Sequence, residues 1–227
     1  MPKRQLADHQ LPVDKRFGWL KLAAIIGIVA IVSVGVTKVL LESRLFRPPY
    51  PTFGKQVAWM VGSQERAYNF DIVRNGAIYR SSNPDAAFLA YLKNEYGITT
   101  ILSLAGPQPW FEDAEQLGMT VHKYKWGTSK LPPIEELKEV ELLMEGADAK
   151  HPVLVHCSAG ADRTGYAIAV YRVKTQEWSL SDAVDEMRNY WHYPETKDIL
   201  HKQIKHYLMP PVETANAESL AMPPLMK

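Results

Sequence analysis

The feature that most constrains the fold is a short apolar run that ends in a cysteine and leads, through small residues, into a helix-forming stretch. Residues 153–165 read Val-Leu-Val-His-Cys-Ser-Ala-Gly-Ala-Asp-Arg-Thr-Gly, and Cys157 is the only cysteine of the chain. The apolar run predicts a buried strand over 153–155, and the following pattern predicts a helix over 164–173. This order of strand, tight loop and helix is typical of α/β folds, in which ligand sites lie where strands end.

The loop between this strand and this helix predicts an anion site. Ala159, Gly160 and Ala161 carry almost no side chain, so successive backbone N–H groups can approach an anion closely. The positive N-terminal end of the helix favours negative charge at the same point, including the nucleophilic thiolate form of Cys157. Arg163 offers a planar pair of donors that matches two phosphoryl oxygens. The loop therefore places a nucleophile beside the binding site of its electrophile.

The sequence of residues 156–165 resembles the phosphate loop of the protein tyrosine phosphatase superfamily, whose cysteine-dependent members share a Cys-x5-Arg motif. The position of an Asp inside the loop resembles the loop of the dual-specificity-like and bacterial tyrosine and lipid phosphatases. The resemblance implies that Cys157 forms a cysteinyl-phosphate intermediate, that Arg163 binds the phosphoryl group and that Asp162 is the general acid. Substrate binding is assigned to Ser158, Ala159, Gly160, Ala161 and Arg163, with support from His156 and from a Thr164 hydroxyl that donates to the cysteine sulfur.

The general acid is the least certain of these assignments. In many superfamily members the acid lies on a separate upstream loop, which corresponds here to residues 126–130 and contains no carboxylate. Asp162 is therefore the first candidate, and Asp113, Glu135 and Glu136 are weaker alternatives. Relatives associated with phosphoinositides often carry lysine where this chain has Ala161, so a strongly anionic lipid is a less favoured substrate.

These motifs predict a phosphomonoester hydrolase that acts on phosphotyrosine or mixed phosphoprotein substrates and needs no cofactor. A phosphoinositide phosphatase and a catalytically silent, membrane-tethered phosphate-binding adaptor stay open as alternatives, and turnover separates the adaptor from the enzymes. We expect no metal site, because His201 and His206 are poorly spaced for one helical face and no cluster of Cys or carboxylates accompanies them. A net charge of +1 gives no indication of nucleic-acid binding.

A second informative segment lies near the N-terminus. The sixteen residues 22–37 carry no charge, and Lys21, Lys38 and Trp19 flank them at positions where their side chains suit a membrane interface. We expect residues 19–41 to form a single-pass transmembrane anchor after a basic segment, 1–18. The slight excess of cations before the anchor places the N-terminus in the cytoplasm and the catalytic domain outside it, in the periplasm of a bacterium. The opposite orientation stays open, because an oxidising compartment would threaten a reactive thiol.

The remaining chain predicts one α/β domain with a mostly parallel central sheet flanked by helices. Residues 42–64, which include the proline-rich stretch 47–51, are assigned to a linker, 65–208 to the phosphatase domain and 209–227 to a disordered tail. Arg80 lies within residues 69–70 and 76–84, which resemble the opening of small dual-specificity phosphatase domains. It is assigned first to a salt bridge, with holding substrate or bracing the loop as alternatives. Strands are predicted over 76–80, 98–104, 119–124 and 153–155, and helices over 85–95, 112–117, 133–145, 164–173, 181–190 and 195–208.

Overall fold

A computed structural model describes residues 15–128 and 132–192, together with 202, 204, 205, 207 and 208. The predicted tail 209–227, the first fourteen residues and most of the predicted helix over 195–208 lie outside the described residues. Within the described part, eight helices and five strands follow in chain order: α1 (Lys15–Glu42), α2 (Thr52–Val61), α3 (Gln64–Ala67), β1 (Asp71–Arg74), β2 (Ile78–Ser81), α4 (Ala86–Tyr96), β3 (Thr100–Ser103), α5 (Phe111–Gln116), β4 (Thr120–Lys123), α6 (Ile134–Glu145), β5 (Val153–His156), α7 (Asp162–Gln176) and α8 (Leu180–Arg188).

The strands form one five-stranded sheet in the order β1-β2-β5-β3-β4. β5 lies at its centre and runs parallel to both neighbours, β2 and β3, while β3 also pairs in parallel with β4. β1 is an antiparallel edge strand that pairs with β2, and the sequence analysis did not predict it. Two of its four residues are exposed and it has no regular apolar alternation, so its pattern does not indicate a strand.

Alternate residues of the central strands contribute to two separate hydrophobic cores, one on each face of the sheet. Val153 and Val155 join the core formed with α6, α7 and α8. Leu154, between them, joins the core formed with α2, α4 and α5. Because successive strand residues point to opposite faces, this apolar run can only be satisfied by helices on both sides. The predicted mostly parallel sheet flanked by helices is therefore confirmed.

The centre of the sheet positions the loop that the sequence singled out. β5 is buried along its whole length and its carboxyl end leads directly into residues 157–163, here called the anion loop. α7 begins at Asp162, two residues before the predicted start at Thr164, so the last two residues of the anion loop already belong to the first helical turn. The positive end of α7 thus lies at the loop, where parallel α/β sheets bind their ligands.

The segment assigned to a linker is folded against the domain. Residues 52–61 form α2, whose Ala58 is fully buried, and the prolines before it precede this helix rather than separate two bodies. The Tyr50 hydroxyl donates to the carbonyl oxygen of Leu41, and the Ser63 hydroxyl donates to Glu42 at 3.1 Å. The C-terminal end of α1 is therefore attached to α2 and to the domain. From Trp19 to Glu42, α1 is long and apolar enough to cross a membrane and is not buried.

Candidate active site

The surroundings of the anion loop hold its backbone carbonyl groups away from its centre. The carbonyl of Cys157 accepts from His156 Nδ1 at 3.3 Å, and that of Ser158 accepts from the Asn83 N–H at 3.1 Å. The carbonyl of Ala159 accepts from the Asn69 side-chain amide at 3.0 Å, and that of Gly160 from Arg80 Nη2 at 2.6 Å. Consecutive peptide units of the loop are thus oriented by side chains and backbone from outside it.

This orientation leaves four backbone N–H groups for a ligand. Across a trans peptide bond the N–H of one residue points opposite to the carbonyl of the residue before it. The N–H groups of residues 158–161 therefore point toward the centre of the anion loop, and they donate to no described residue. Successive N–H groups that converge on one point form an anion-binding nest. The geometry expected from the small residues is present.

The nucleophile candidate lies at the base of this nest. Cys157 is 2% exposed and is flanked on the core side by His156, which is completely buried. Burial lowers the pKa of His156 from 6.5 to about 4, so its imidazole is neutral at physiological pH and Nδ1 donates to the Cys157 carbonyl. His156 therefore supports the loop through the backbone and does not face the anion site as a cation.

Arg163 extends across the opening of the loop. Its Nη1 donates to the carbonyls of Leu104 and Trp126, both at 3.3 Å, and its Nη2 donates to the Ser158 hydroxyl at 2.9 Å. Its buried Nε has no partner among the described residues. Loops after β3 and β4 thus fix the guanidinium, while its Nε–H and one N–H of Nη2 remain for a bound anion.

The two residues on either side of Arg163 have different surroundings. Asp162 Oδ1 lies 2.7 Å from Nδ1 of His192, a buried residue beyond the end of α8. Thr164 is completely buried, and its hydroxyl forms no hydrogen bond with any described residue, so the donation to the Cys157 sulfur expected from the sequence is not formed. Thr164 is the third residue of α7, and its side chain is buried in the domain.

A buried arginine braces the loop, and the sequence analysis had left its role open between a salt bridge, holding substrate and bracing. Arg80 is 1% exposed, and besides its hydrogen bond to Gly160 its guanidinium lies 3.3 Å from the ring centroid of Tyr190. Burial lowers the pKa of Arg80 to about 10, which keeps it charged at neutral pH, and the nearby Cys157 and Asp71 act in the opposite direction. Arg80 therefore adds a permanent positive charge beneath the anion loop.

Several supporting residues were not predicted from the sequence. Asn69 donates to Ala159 although it lies 90 positions away, and Asn69 also donates to the Tyr190 carbonyl at 3.4 Å. Tyr190 and His192 lie in the turn after α8, which contacts the loop through Arg80 and Asp162. These contacts join distant parts of the chain, so no local pattern indicates the roles of Tyr190 and His192.

The alternative acids are not equivalent in the structure. Asp113 lines a cavity that also reaches Ser158 of the anion loop. Glu136 accepts a hydrogen bond from the indole of Trp126 at 2.8 Å, and Glu135 pairs with the exposed Lys138 at 3.2 Å. Asp113 therefore shares a cavity with the anion loop. Among the described residues, no cluster of three or more His, Cys, Asp or Glu side chains is arranged to hold a metal ion.

Comparison with known proteins agrees with this geometry. Residues 66–220 match the model of the tyrosine phosphatase family, and the chain belongs to that family. It is therefore a member of the cysteine-dependent protein tyrosine phosphatase superfamily, as the phosphate-loop motif predicted.

Its relatives carry two kinds of name. The chain is 37% identical over 139 residues to inositol diphosphatase DSP2 of Oryza sativa subsp. japonica, covering 57% of this chain and 63% of that protein. It is 30% identical over 140 residues to inositol diphosphatase SIW14 of Saccharomyces cerevisiae, covering 58% of this chain and 48% of that protein. It is 27% identical over 114 residues to the dual specificity protein phosphatase TpbA of Pseudomonas aeruginosa, covering 49% of this chain and 50% of that protein. The matches span less than two thirds of the length of each relative.

Solved structures of two of these proteins share the fold. The crystal structure of P. aeruginosa TpbA superposes with a TM-score of 0.54 at 23% identity, covering 61% of this chain and 84% of that one. The core catalytic domain of the PP-IP phosphatase SIW14 from S. cerevisiae, in complex with citrate, superposes with a TM-score of 0.52 at 28% identity, covering 60% and 83%.

Proposed function

We propose that this phosphatase hydrolyses phosphotyrosine or mixed phosphoprotein substrates through a cysteinyl-phosphate intermediate. The observation that carries the proposal is the set of outward-held carbonyls, which leaves the N–H groups of residues 158–161 directed at a point beside Cys157. In the first step the Cys157 thiolate attacks phosphorus and the bond to the leaving oxygen breaks. In the second step water attacks the thiophosphate, which releases phosphate and returns the thiolate. Arg163 and the four N–H groups hold the phosphoryl oxygens in both steps.

Asp162 is the proposed general acid in this scheme. It protonates the leaving oxygen in the first step and accepts a proton from water in the second. Its position beside Arg163 and its hydrogen bond to His192 support the assignment, because a fixed carboxyl group is what proton transfer requires. Asp113 is the alternative, since it lines the cavity that adjoins Ser158.

A substrate with a single phosphoryl group fits the charges of the loop. Within residues 157–163, Arg163 is the only cationic side chain, and Ser158, Ala159 and Ala161 contribute no charge. A polyphosphorylated inositol would bring several further negative charges without matching cations in the loop. The names of the relatives from rice and yeast nevertheless make an inositol diphosphate the second candidate substrate. A phosphoinositide head group and silent phosphate binding rank below both.

Hydrolysis of two aryl phosphates by the full chain in detergent, with a chelator present, tests the proposal. Nitrophenyl phosphate has a weakly basic leaving group that needs little protonation, whereas phenyl phosphate depends on the general acid. We expect Cys157→Ser to abolish both activities. Asp162→Asn should slow the hydrolysis of phenyl phosphate by about 10²-fold or more and that of nitrophenyl phosphate much less.

The same two substrates identify the acid. If Asp113→Asn produces the leaving-group effect and Asp162→Asn does not, the acid assignment is wrong. If wild type binds vanadate but hydrolyses neither substrate, the chain is a phosphate-binding adaptor and the enzymatic proposal fails.

We also propose that residues 19–41 anchor the chain in a membrane as a single pass, with 65–208 as the catalytic domain on the extracytoplasmic side. The uncharged, exposed stretch 22–37 within α1 supports this, as does the cationic segment 1–18. Resistance of the full chain to alkaline extraction from membranes tests the anchor. Digestion of the domain by protease added to intact spheroplasts tests the orientation, and a protected domain would reverse it.

A further inference from the structure

A cavity of about 440 Å³ adjoins the anion loop at Ser158 and extends toward α2. Part of its wall comes from Tyr50 and Lys55, which lie before the region that matches the family model. The remainder comes from the turn before α4 and from the start of α5, including Trp110 and Asp113. The cavity is therefore placed to receive whatever carries the phosphoryl group, and part of it lies outside the family-matched segment.

The wall nearest the loop is fixed to it and is aromatic. The Trp110 indole donates to the Asn83 side chain at 3.0 Å, and the Asn83 backbone N–H donates to Ser158 at 3.1 Å. Trp110 and Tyr50 are 3% and 5% exposed, so their positions are set by packing. Flat aromatic surfaces held in this way suit an aromatic ring in the ligand.

The charges of the cavity sum to a negative value. Lys55 lies 3.5 Å from Asp85, whose carboxylate also caps α4 by accepting from Phe88 N–H at 3.1 Å. Lys55 and Asp85 therefore compensate each other. Asp113 is the remaining carboxylate, and its side chain makes no hydrogen bond or ion pair with any residue in the described part of the chain. The cavity offers one uncompensated negative charge beside the phosphoryl site.

We propose that this cavity binds the peptide around a phosphotyrosine and that Asp113 pairs with a lysine or arginine of that peptide. The inference rests on the proposed function and makes its substrate class more specific. Neighbouring residues of an extended peptide are about 3.5 Å apart, so a basic residue within two positions of the phosphotyrosine lies near the opening of the cavity. A substrate with further phosphates is disfavoured by Asp113 for the same electrostatic reason.

Binding of labelled phosphotyrosyl peptides to the full-chain Cys157→Ser variant tests this inference independently of turnover. Three peptides of equal length carry Lys, Gln or Glu at the positions flanking the phosphotyrosine, and fluorescence anisotropy gives each Kd. We expect the Lys peptide to bind about tenfold more tightly than the Glu peptide, with Gln between them. Adding Asp113→Asn should remove this ratio, and Asp113→Glu should retain it. Glu112→Gln, an exposed neighbour on α5, is the matched control and should leave the ratio unchanged.

Equal binding of the three peptides, or a preference for Glu, overturns the inference even if Asp113→Asn fails to fold. A Lys preference that persists in a folded Asp113→Asn variant also overturns the role of Asp113. The proposed function fails separately, when the wild-type chain does not hydrolyse a small aryl phosphate that carries no peptide.

Discussion

At the scale of single residues, the anion loop depends on a glycine with two independent requirements. Gly160 has a φ of +68°, and a Cβ atom there would lie 2.6 Å from the backbone oxygen of Ser81. Gly76 has a similar φ of +72°, but a Cβ atom there would contact nothing within 4 Å. Alanine substitutions at the two glycines therefore distinguish the cost of conformational strain from the cost of a steric clash with β2.

We predict that Gly160→Ala lowers the free energy of unfolding by about 3 kcal/mol or more, because strain and backbone displacement act together. Gly76→Ala should lower the free energy of unfolding by only about 1 kcal/mol, because it introduces backbone strain without a clash. Urea denaturation measures both values, and vanadate binding should weaken only in the Gly160 variant. Equal losses in the two variants would show that the loop can move away from Ser81.

His156 gives the stability of the domain a defined pH dependence. The pKa of this buried imidazole is about 4 in the folded chain and 6.5 in the unfolded chain, so between these values the unfolded state binds more protons. Stability should therefore be unaffected above about pH 6.5 and fall by about 3 kcal/mol as the pH decreases to about 4.

Urea denaturation across that pH range, with wild type and His156→Gln compared, checks the prediction. The difference in unfolding free energy between the two should shrink as the pH falls. A difference that stays constant with pH would mean that folding leaves the pKa of His156 unchanged.

At the scale of elements, α7 and α8 are joined by a nearly buried ion pair. Arg172 on α7 donates to Glu186 on α8 at 2.6 and 3.1 Å, and their side chains are 9% and 13% exposed. Arg172 also donates to the Val73 carbonyl of β1 at 2.8 Å. Because the turn after α8 contacts the anion loop, this pair also helps to place Tyr190 and His192.

We predict that Glu186→Ala destabilises the chain by about 3 kcal/mol, because it leaves Arg172 charged and unpaired in a desolvated site. Asp185→Ala is the matched control, since Asp185 pairs with Arg188 in an exposed position and should contribute less than about 0.5 kcal/mol. Thermal or urea denaturation of the two variants decides between these values, and similar small losses in both would contradict the role given to the pair.

The elements also show what the sequence could specify. The strand at 153–155 and the helices near 85–95 and 133–145 were predicted because continuous apolar runs and helical periodicity are local signals. β1 was missed because its exposed, polar pattern is stabilised only by pairing with β2. The proposed roles of Cys157 and Arg163 could be stated from one motif, whereas Asn69 and His192 could not. Their contacts join residues 90 and 30 positions apart, which only the folded chain brings together.

At the scale of the whole molecule, the apolar helix α1 and the α/β domain are directly connected. The expected spacer contains α2, and hydrogen bonds from Tyr50 and Ser63 attach it to the end of α1. Arg44, just after α1, donates to Asn189 at 2.9 Å in the turn that supports the anion loop. The prolines of residues 47–51 predicted a spacer that separates α1 from the domain. Proline is also common just before a helix, and here Pro51 precedes α2, which packs its buried Ala58 against the domain.

The central claim, that the chain works through a covalent intermediate on its single cysteine, is tested most directly by trapping that intermediate. Full-length protein is mixed with an aryl phosphate, quenched in acid within the first turnover and analysed by mass spectrometry of its peptides. We predict that the peptide containing Cys157 gains the mass of one phosphoryl group in wild type and that Cys157→Ser shows no such gain. The account would be contradicted if the substrate is hydrolysed while the phosphoryl group is found on another residue, or on no peptide at all.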